Sequence, residues 1–455
     1  MSRRRGSRSF LKWLYPNLKV KRWFLLAALG IFLFATGFAV MNDGIALGYL
    51  ELQFREAVYR VTGSTQRVAV PVGTLISALG VILIVVGFKR LLNSIISVLI
   101  PTDEGKIVDV IYTRQHLSRG PKIVVIGGGT GLSALLRGLK EYTNHLTAIV
   151  TVADDGGSSG RLRHEMGILP PGDVRNCLVA LADTENIMEK LFSYRFETGT
   201  LKGHSLGNLL LAGLADTAGD FQKGIEQVGQ VFALRGKVYP STLEQIVLVA
   251  DLADGRRIKG ETAVRTTEGQ IRRVYLEPPD CHPVPQALQA LEEADLVVLG
   301  PGSLYTSVLP NLLVEGLREK IRAVSAPCVY VCNVMTEPGE TDGYQVSDHL
   351  QALIKHCGPG FVDAVLANKA DIPEEALIRY AEEGAVPVHG EARAVERLGI
   401  KYFEAELIQQ GEVVRHDSKR LARELMRLLF RLKPMGERIA LVDAYLLSHK
   451  LRQEP

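Results

Sequence analysis

The sequence has little net charge. Its 53 Lys and Arg face 50 Asp and Glu, leaving a formal charge of +3. That balance argues only weakly for nucleic acid, and no nucleic-acid partner is expected. Part of the excess sits at Arg3, Arg4, Arg5, Arg8, Lys12, Lys19, Lys21 and Arg22, a cluster better matched to a membrane surface. Cysteines are few, at five, with no CxxC and no paired histidine spacing, so neither a structural zinc nor a disulfide framework is indicated. Cys328 and Cys332 share one apolar run, but a strand would hold them about 13 Å apart, too far for a disulfide. All five read as reduced thiols in a cytosolic domain. Internal repeats and low-complexity tracts are also lacking, which removes solenoids and tail-like segments.

What is present divides near Pro101. A chain of 455 residues is long for one ordinary domain, and before Pro101 basic segments alternate with apolar ones. Phe24 to Met41 and Val68 to Phe88 carry no charge, and each approaches the roughly 20 residues of a spanning helix. The basic cluster precedes the first, Lys89 and Arg90 follow the second, and the segment between is charge-balanced. Positive-inside logic puts both ends of this hairpin in the cytoplasm, a multi-pass arrangement at the cell membrane. A cleaved signal peptide is the alternative for the first segment, though its apolar core is longer than usual. Residues 91–102 fit either a surface amphipathic helix or the cytosolic end of the second span.

Past the break, continuous Val/Ile/Leu strands alternate with helices, the pattern of a mostly parallel sheet covered on both faces. This predicts a Rossmann-like α/β domain at residues 121–455, joined by a linker, 102–120, to an anchor, 1–101. Strands are expected near VFALRGKV, EQIVLVADLA, IRRVYLEP, ADLVVLG, PCVYVCNV, VDAVLAN and GAVPV. Between about 239 and 279 an Asp254-Gly255 turn joins β-like runs, predicting a small antiparallel annex.

Four polar loops fall where such sheets bind ligands, beyond the strands' carboxyl ends. The first, GGGTGLS, holds Gly127, Gly128, Gly129, Thr130 and Gly131, which let backbone approach a phosphate. It lacks the lysine of a Walker loop. It does contain GxGxxA, with Asp154 at the end of the next strand, which leaves a nicotinamide dinucleotide open. The second, ADDGGSSGRLR, pairs Asp154 with Asp155 ahead of another glycine nest, suiting ribose hydroxyls or a magnesium bridging to phosphate; an Asp-Gly turn is the plain alternative. The third, PPGDVRNCL, offers Asp173 as a helix N-cap, followed by Arg175, a cation in a turn that disfavours one unless an anion is near. The fourth, LGPGSLYTS, repeats the cradle with Gly300, Gly302 and Ser303, and its Tyr305 could stack on a base. GHSLG matches a nucleophile elbow, but no strand precedes it as that motif requires. His204 and Asn208 are instead expected at a helix start facing the same cleft.

Taken together, GGGTGLS, VADDGGSSGRLR, PPGDVRNCLVALA, GHSLGNLLL and GPGSLYTSVLPNLLV resemble the bacterial gluconeogenesis factor family, the YvcK-like proteins of the 2-phospho-L-lactate transferase, or CofD-like, superfamily. The resemblance runs from about Pro121 onward, leaving the hairpin as an addition on this chain. NVMTEPGETDGY also fits, although Gln is expected where Glu337 stands. The resemblance implies a nucleotide-binding Rossmann-like domain. In the YvcK-like branch the expected ligand is a UDP-sugar such as UDP-N-acetylglucosamine, with a role in carbon metabolism, cell shape and envelope precursor supply and no known reaction. A protein partner in envelope synthesis and a homo-oligomer are compatible with it. In the transferase branch, magnesium and a phospholactyl transfer are expected, so whether the chain is an enzyme stays open. By motif, Tyr380 and Arg415 would contact the sugar nucleotide. Arg415 also sits just before a helix that Asp417 could cap, where an anion would dock, or else is a solvated surface arginine.

Overall fold

A computed structural model of the chain describes residues 20–41, 49–63, 66–99, 117–183, 185–409 and 414–433. The N-terminal basic cluster up to Lys19 and most of the expected linker lie outside these residues. Two compact units are present, Met1–Arg114 and Gln115–Pro455.

In the first unit, helices Val20–Met41 and Gln66–Leu99 pack together, joined through a third helix, Tyr49–Thr62. Glycines recur at seven-residue spacing on the facing sides, Gly30 and Gly37 against Gly73, Gly80 and Gly87. A Cβ at Gly80 would lie 2.5 Å from the Phe34 nitrogen, and one at Gly37 2.5 Å from the Ser77 nitrogen. A seven-residue repeat keeps one face towards its partner helix, so the backbones touch where only hydrogen fits. The opposite faces are apolar and exposed, among them Phe24, Phe32, Leu75 and Ile82. Both helices are long and apolar enough to cross a membrane. The second continues unbroken to Leu99, so residues 91–99 extend that helix rather than forming a separate one.

Among its described residues the second unit contains ten strands: β1 Ile123–Gly127, β2 Leu146–Val150, β3 Lys237–Pro240, β4 Val247–Leu252, β5 Arg257–Lys259, β6 Ile271–Glu277, β7 Leu296–Leu299, β8 Cys328–Val331, β9 Ala364–Asn368 and β10 Lys401–Ala405. Seven form one sheet in the order β10-β9-β8-β7-β1-β2-β3, with every pairing parallel. Every residue of β1, β7 and β8 is buried. These central strands are therefore covered on both faces, which is why they read as unbroken runs of Val, Ile and Leu. On one face helix Gly129–Leu139 packs against helices Gly172–Leu181 and Ser418–Leu432; elsewhere helix Pro285–Glu292 packs against Leu317–Ala323.

The annex is the antiparallel sheet β5-β4-β6. It begins at Val247 rather than 239, because Tyr239 and Pro240 belong to β3 at the edge of the main sheet, pairing with Ile149 and Val150. GAVPV forms no strand. Only Pro387 makes an isolated bridge, to Met335. KYFEA, which the pattern did not single out, is edge strand β10.

Candidate functional site

The strand order turns outward in both directions from β1, to β2 on one side and to β7 on the other. The loops after β1 and β7 therefore part, leaving a crevice beyond the strands' carboxyl ends. A cleft of about 680 Å³ occupies this place. Its floor is glycine on both sides. Gly129 and Gly302 have φ of +67° and +152°, where L side chains are strained. A Cβ on Gly131 would lie 2.6 Å from the Pro301 carbonyl oxygen, so the two loops meet backbone to backbone. The loop after β8 is tied in, since the Gly302 amide donates to Asn333 Oδ1 at 3.2 Å. A π-helical turn, Leu304–Val308, continues the β7 loop, and such turns recur at functional sites.

The cleft brings together Gly128, Gly129, Thr130, Gly131, Asp154, Asp173, Gly302, Ser303, Tyr380 and Arg415 of the residues expected from sequence. Gly127 and Gly300 stand just behind them: the Gly127 carbonyl accepts from the Thr151 amide and from Asn311 Nδ2, and Gly300 turns the chain at φ +76°. Asp155 is directed elsewhere. It accepts from the Thr262 amide at 2.9 Å, and a Cβ on Gly260 would lie 2.3 Å from its Oδ2, so it fastens the short annex helix Glu261–Thr266 to the loop after β2. Asn208 lines a neighbouring cavity, not the cleft. Tyr305 is 2% exposed and bonds Tyr344 through its hydroxyl, so it packs in the core and stacks on no ligand.

Asp173 is not the N-cap. The helix begins a residue earlier, at Gly172 with Pro171 in the cap position, so Asp173 falls inside the first turn and faces the glycine loop. It accepts from the Gly129 amide, yet burial, reinforced by Asp154, pushes its carboxyl up to about 6. In GHSLG, Ser205 caps helix Leu206–Ala218 and accepts from Arg175 at 2.6 Å. The serine is engaged in structure and no strand precedes it.

Arg415 reaches the cleft through a packing device. Helix Ser418–Leu432, capped by Asp417 as the sequence suggested, lies so close to helix Gly129–Leu139 that a Cβ on Gly138 would meet the Ser418 carbonyl oxygen at 1.9 Å. That contact brings Arg415 and His416 to the cleft wall. The Arg415 carbonyl accepts from the Gln409 amide, while its guanidinium has no hydrogen bond or ion pair among the described residues. Tyr380 packs beside Val334, Met335 and Ala385 at the same wall.

Sequence reasoning missed several cleft residues: Glu261 and Arg265 from the annex, Asn333, Glu337 and Glu340 after β8, and His416. Burial pushes Glu261 up to about 7, with the charge of Asp154 adding to the effect. Glu337 and Glu340 are both raised, chiefly by burial, and the Glu337 charge raises Glu340 further. Burial holds the His416 imidazole down to about 4, hence neutral. The only available signal was the NVMTEPGETDGY motif itself, which singled out Glu337 without assigning it a place.

Fold and cleft together define a CofD-like α/β protein: residues 123–408 match the family described as 2-phospho-L-lactate transferase CofD. A relative from Nostoc sp. is 45% identical over 424 residues, covering 92% of each chain. The gluconeogenesis factor of Bacillus subtilis is 47% identical over 315 residues, 69% of this chain and 99% of its own. A crystal structure of a UPF0052 family member from Bacillus halodurans superposes with a TM-score of 0.65 at 49% identity, over 67% of this chain and 99% of that one. Within the CofD-like class, the chain belongs to the gluconeogenesis factor family. The Nostoc alignment reaches well into the N-terminal unit, which corrects the expectation that the hairpin is an addition peculiar to this chain.

Proposed function

We propose that the chain is a membrane-tethered cytosolic protein that binds a UDP-sugar of the UDP-N-acetylglucosamine type in the β1/β7 cleft. It would act as a regulatory factor in carbon metabolism, cell shape and envelope precursor supply. The observation that carries this reading is the opposition of two glycine cradles, Gly128 to Gly131 and Pro301 to Ser303, with an unpaired Arg415 on the same cleft. Backbone amides and a helix N-terminus suit a diphosphate, and an arginine without a counter-ion supplies its charge. Tyr380 and its apolar neighbours offer a surface for a base or sugar ring. The two apolar helices support tethering.

Titration calorimetry on the purified chain tests the reading. UDP-N-acetylglucosamine should bind saturably at one site, and Arg415→Ala should weaken it at least tenfold. Equal response to GDP-linked and nicotinamide nucleotides would defeat the uridine assignment.

One observation favours a second reading, a magnesium-dependent transferase. Asp154 and Asp173 both face the cleft, and the Asp154 charge helps raise the Asp173 carboxyl. Magnesium commonly takes one or two protein carboxylates and completes its shell with phosphate oxygens and water. Among the described residues no three acidic, histidine or cysteine side chains form a complete metal cage, so any such ion would need the ligand's phosphate. When bound there it would neutralise phosphate charge, while the glycine loops and Arg415 orient the nucleotide. Release of UMP or UDP from a nucleotide sugar only when magnesium is present would establish this reading over the first.

A further inference from the structure

A second cavity of about 430 Å³ adjoins the cleft. The two share a wall that carries every carboxylate of the second cavity, Asp154, Asp173 and Glu261. Beyond that wall the lining changes sign: it includes Arg175 and Arg195 and no acidic residue. Neither arginine has an ion pair among the described residues. Arg175 donates to the neutral oxygens of Ser205, Asn208 and Asn176, and Arg195 donates to the Gly203 carbonyl. Arg235 and Arg257, by contrast, are paired with Asp183 and Asp251. Burial lowers the Arg175 pKa and the Arg195 charge lowers it further, with the Asp173 and Asp154 charges in part opposing both. An anion seated between the two would be drawn to both charges.

A serine hydroxyl points the same way. Ser159 is 5% exposed, lines this cavity and has no hydrogen-bond partner among the described residues. Its Oγ is directed at Gly172, where an added Cβ would come within 2.5 Å of it. Ser159 lies in the first turn of helix Gly157–Met166, and Gly172 begins helix Gly172–Leu181; neither helix has a side-chain cap. Both therefore open unpaired amides at this recess.

We propose that the recess is a second binding site, for a phosphate group, seated between Arg175, Arg195, Ser159 and the two helix starts and separate from the nucleotide cleft. A phosphate presents enough oxygens to meet donors from several walls at once. The acidic shared wall keeps it at the far, basic end. The site does not depend on what fills the main cleft.

The test is calorimetric titration of the full chain in detergent micelles with inorganic phosphate and, separately, with a hexose 6-phosphate, each with and without saturating UDP-N-acetylglucosamine. Saturable binding of at least one of them, at one site and in both conditions, is expected, and the stronger binder tells free phosphate from a phosphate monoester. Arg195→Gln, at the exposed rim, should weaken it at least tenfold and Ser159→Ala about threefold, with Arg195→Lys recovering part of the loss. Neither should move the nucleotide-sugar Kd by more than twofold, and unchanged Tm values show that the variants fold. The proposal fails if neither probe binds saturably. It also fails if UDP-N-acetylglucosamine displaces phosphate while Arg415→Ala weakens both, which would make them one site. A chain that binds phosphate but no nucleotide sugar would instead defeat the proposed function and leave the recess standing.

Discussion

At Asp173, Glu261, Glu337 and Glu340, burial outweighs every nearby cation and raises the carboxyl pKa. The consequence for stability has a definite sign. Unfolded, these groups titrate near 3.8 for Asp and 4.5 for Glu; folded, Asp173 and Glu261 do so near 6 and 7. In the window between, the native state holds more protons, so its stability falls as pH rises. The Tm of the ligand-free protein should therefore decline from pH 5 to pH 8. Asp173→Asn, which keeps an acceptor for the Gly129 amide, should exceed the parent by about 2–4 °C at pH 8 and match it near pH 4. A parent Tm that climbs across this range in calorimetry would refute the account. Glu337 allows a sharper test at the same scale. It faces the cleft where the family resemblance implies Gln, and a negative charge there opposes a diphosphate. Glu337→Gln should tighten UDP-N-acetylglucosamine binding by about 1 kcal/mol, roughly fivefold; weaker binding would mean the ligand uses that carboxylate. None of these acids except Asp173 was chosen from sequence, because their shared environment depends on residues far apart in the chain. Asp155 shows the converse. It looked like a ligand residue beside Asp154, yet its partner is Thr262, 107 positions away, and no local pattern announces such a contact.

Among the elements, what sequence made legible was whatever is decided locally. Unbroken apolar runs marked the central strands, and glycine bursts marked the loops after β1, β2 and β7, because those signals need only neighbouring residues. β10 escaped because KYFEA is an edge strand with no fully buried residue, and GAVPV misled because an apolar run containing proline resembles a strand until pairing is considered. The placement of Arg415 is also an element-scale fact. It depends on helix Ser418–Leu432 lying against Gly138, whose hydrogen leaves no room for a methyl group. Gly138→Ala should push that helix away, cost about 1–3 kcal/mol of stability, and weaken nucleotide-sugar binding at least tenfold although residue 138 touches no ligand. Gly213→Ala is the matched control: it lies in helix Leu206–Ala218 with nothing within 4 Å of an added Cβ. Alanine there should stabilise by about 0.5–1 kcal/mol and leave binding unchanged. Denaturant titration and calorimetry on both variants separate the packing role from simple helix propensity.

Across the whole molecule, the two compact units dispose of apolar surface differently. The second unit buries its apolar strands between helices, whereas the first turns Phe24, Phe32, Leu75 and Ile82 outward and closes on itself through glycines. In water that outward surface would be a liability; in lipid it is the natural exterior, and the glycine faces supply the close approach that helix pairs use there. The Bacillus subtilis relative aligns along 99% of its own length with only 69% of this chain, so the CofD-like fold occurs without a counterpart of the rest. Residues 115–455 alone should therefore fold, move from the membrane pellet to the soluble fraction, and bind UDP-N-acetylglucosamine within twofold of the full chain. The full chain should stay in the pellet after an alkaline carbonate wash, which strips proteins held only by surface charge. Gly80→Leu separates packing from hydrophobicity, because it adds apolar surface while forcing a side chain into Phe34. That variant should remain in the pellet yet lose the pairing of its two helices, read as lost thiol crosslinking between cysteines introduced at Met41 and Thr74, whose side chains already meet across the pair, Thr74 Oγ1 lying 3.6 Å from Met41 Sδ. A full chain that washes free of the membrane, or a Gly80→Leu variant that crosslinks as well as its parent, would show that these helices do not form a spanning hairpin.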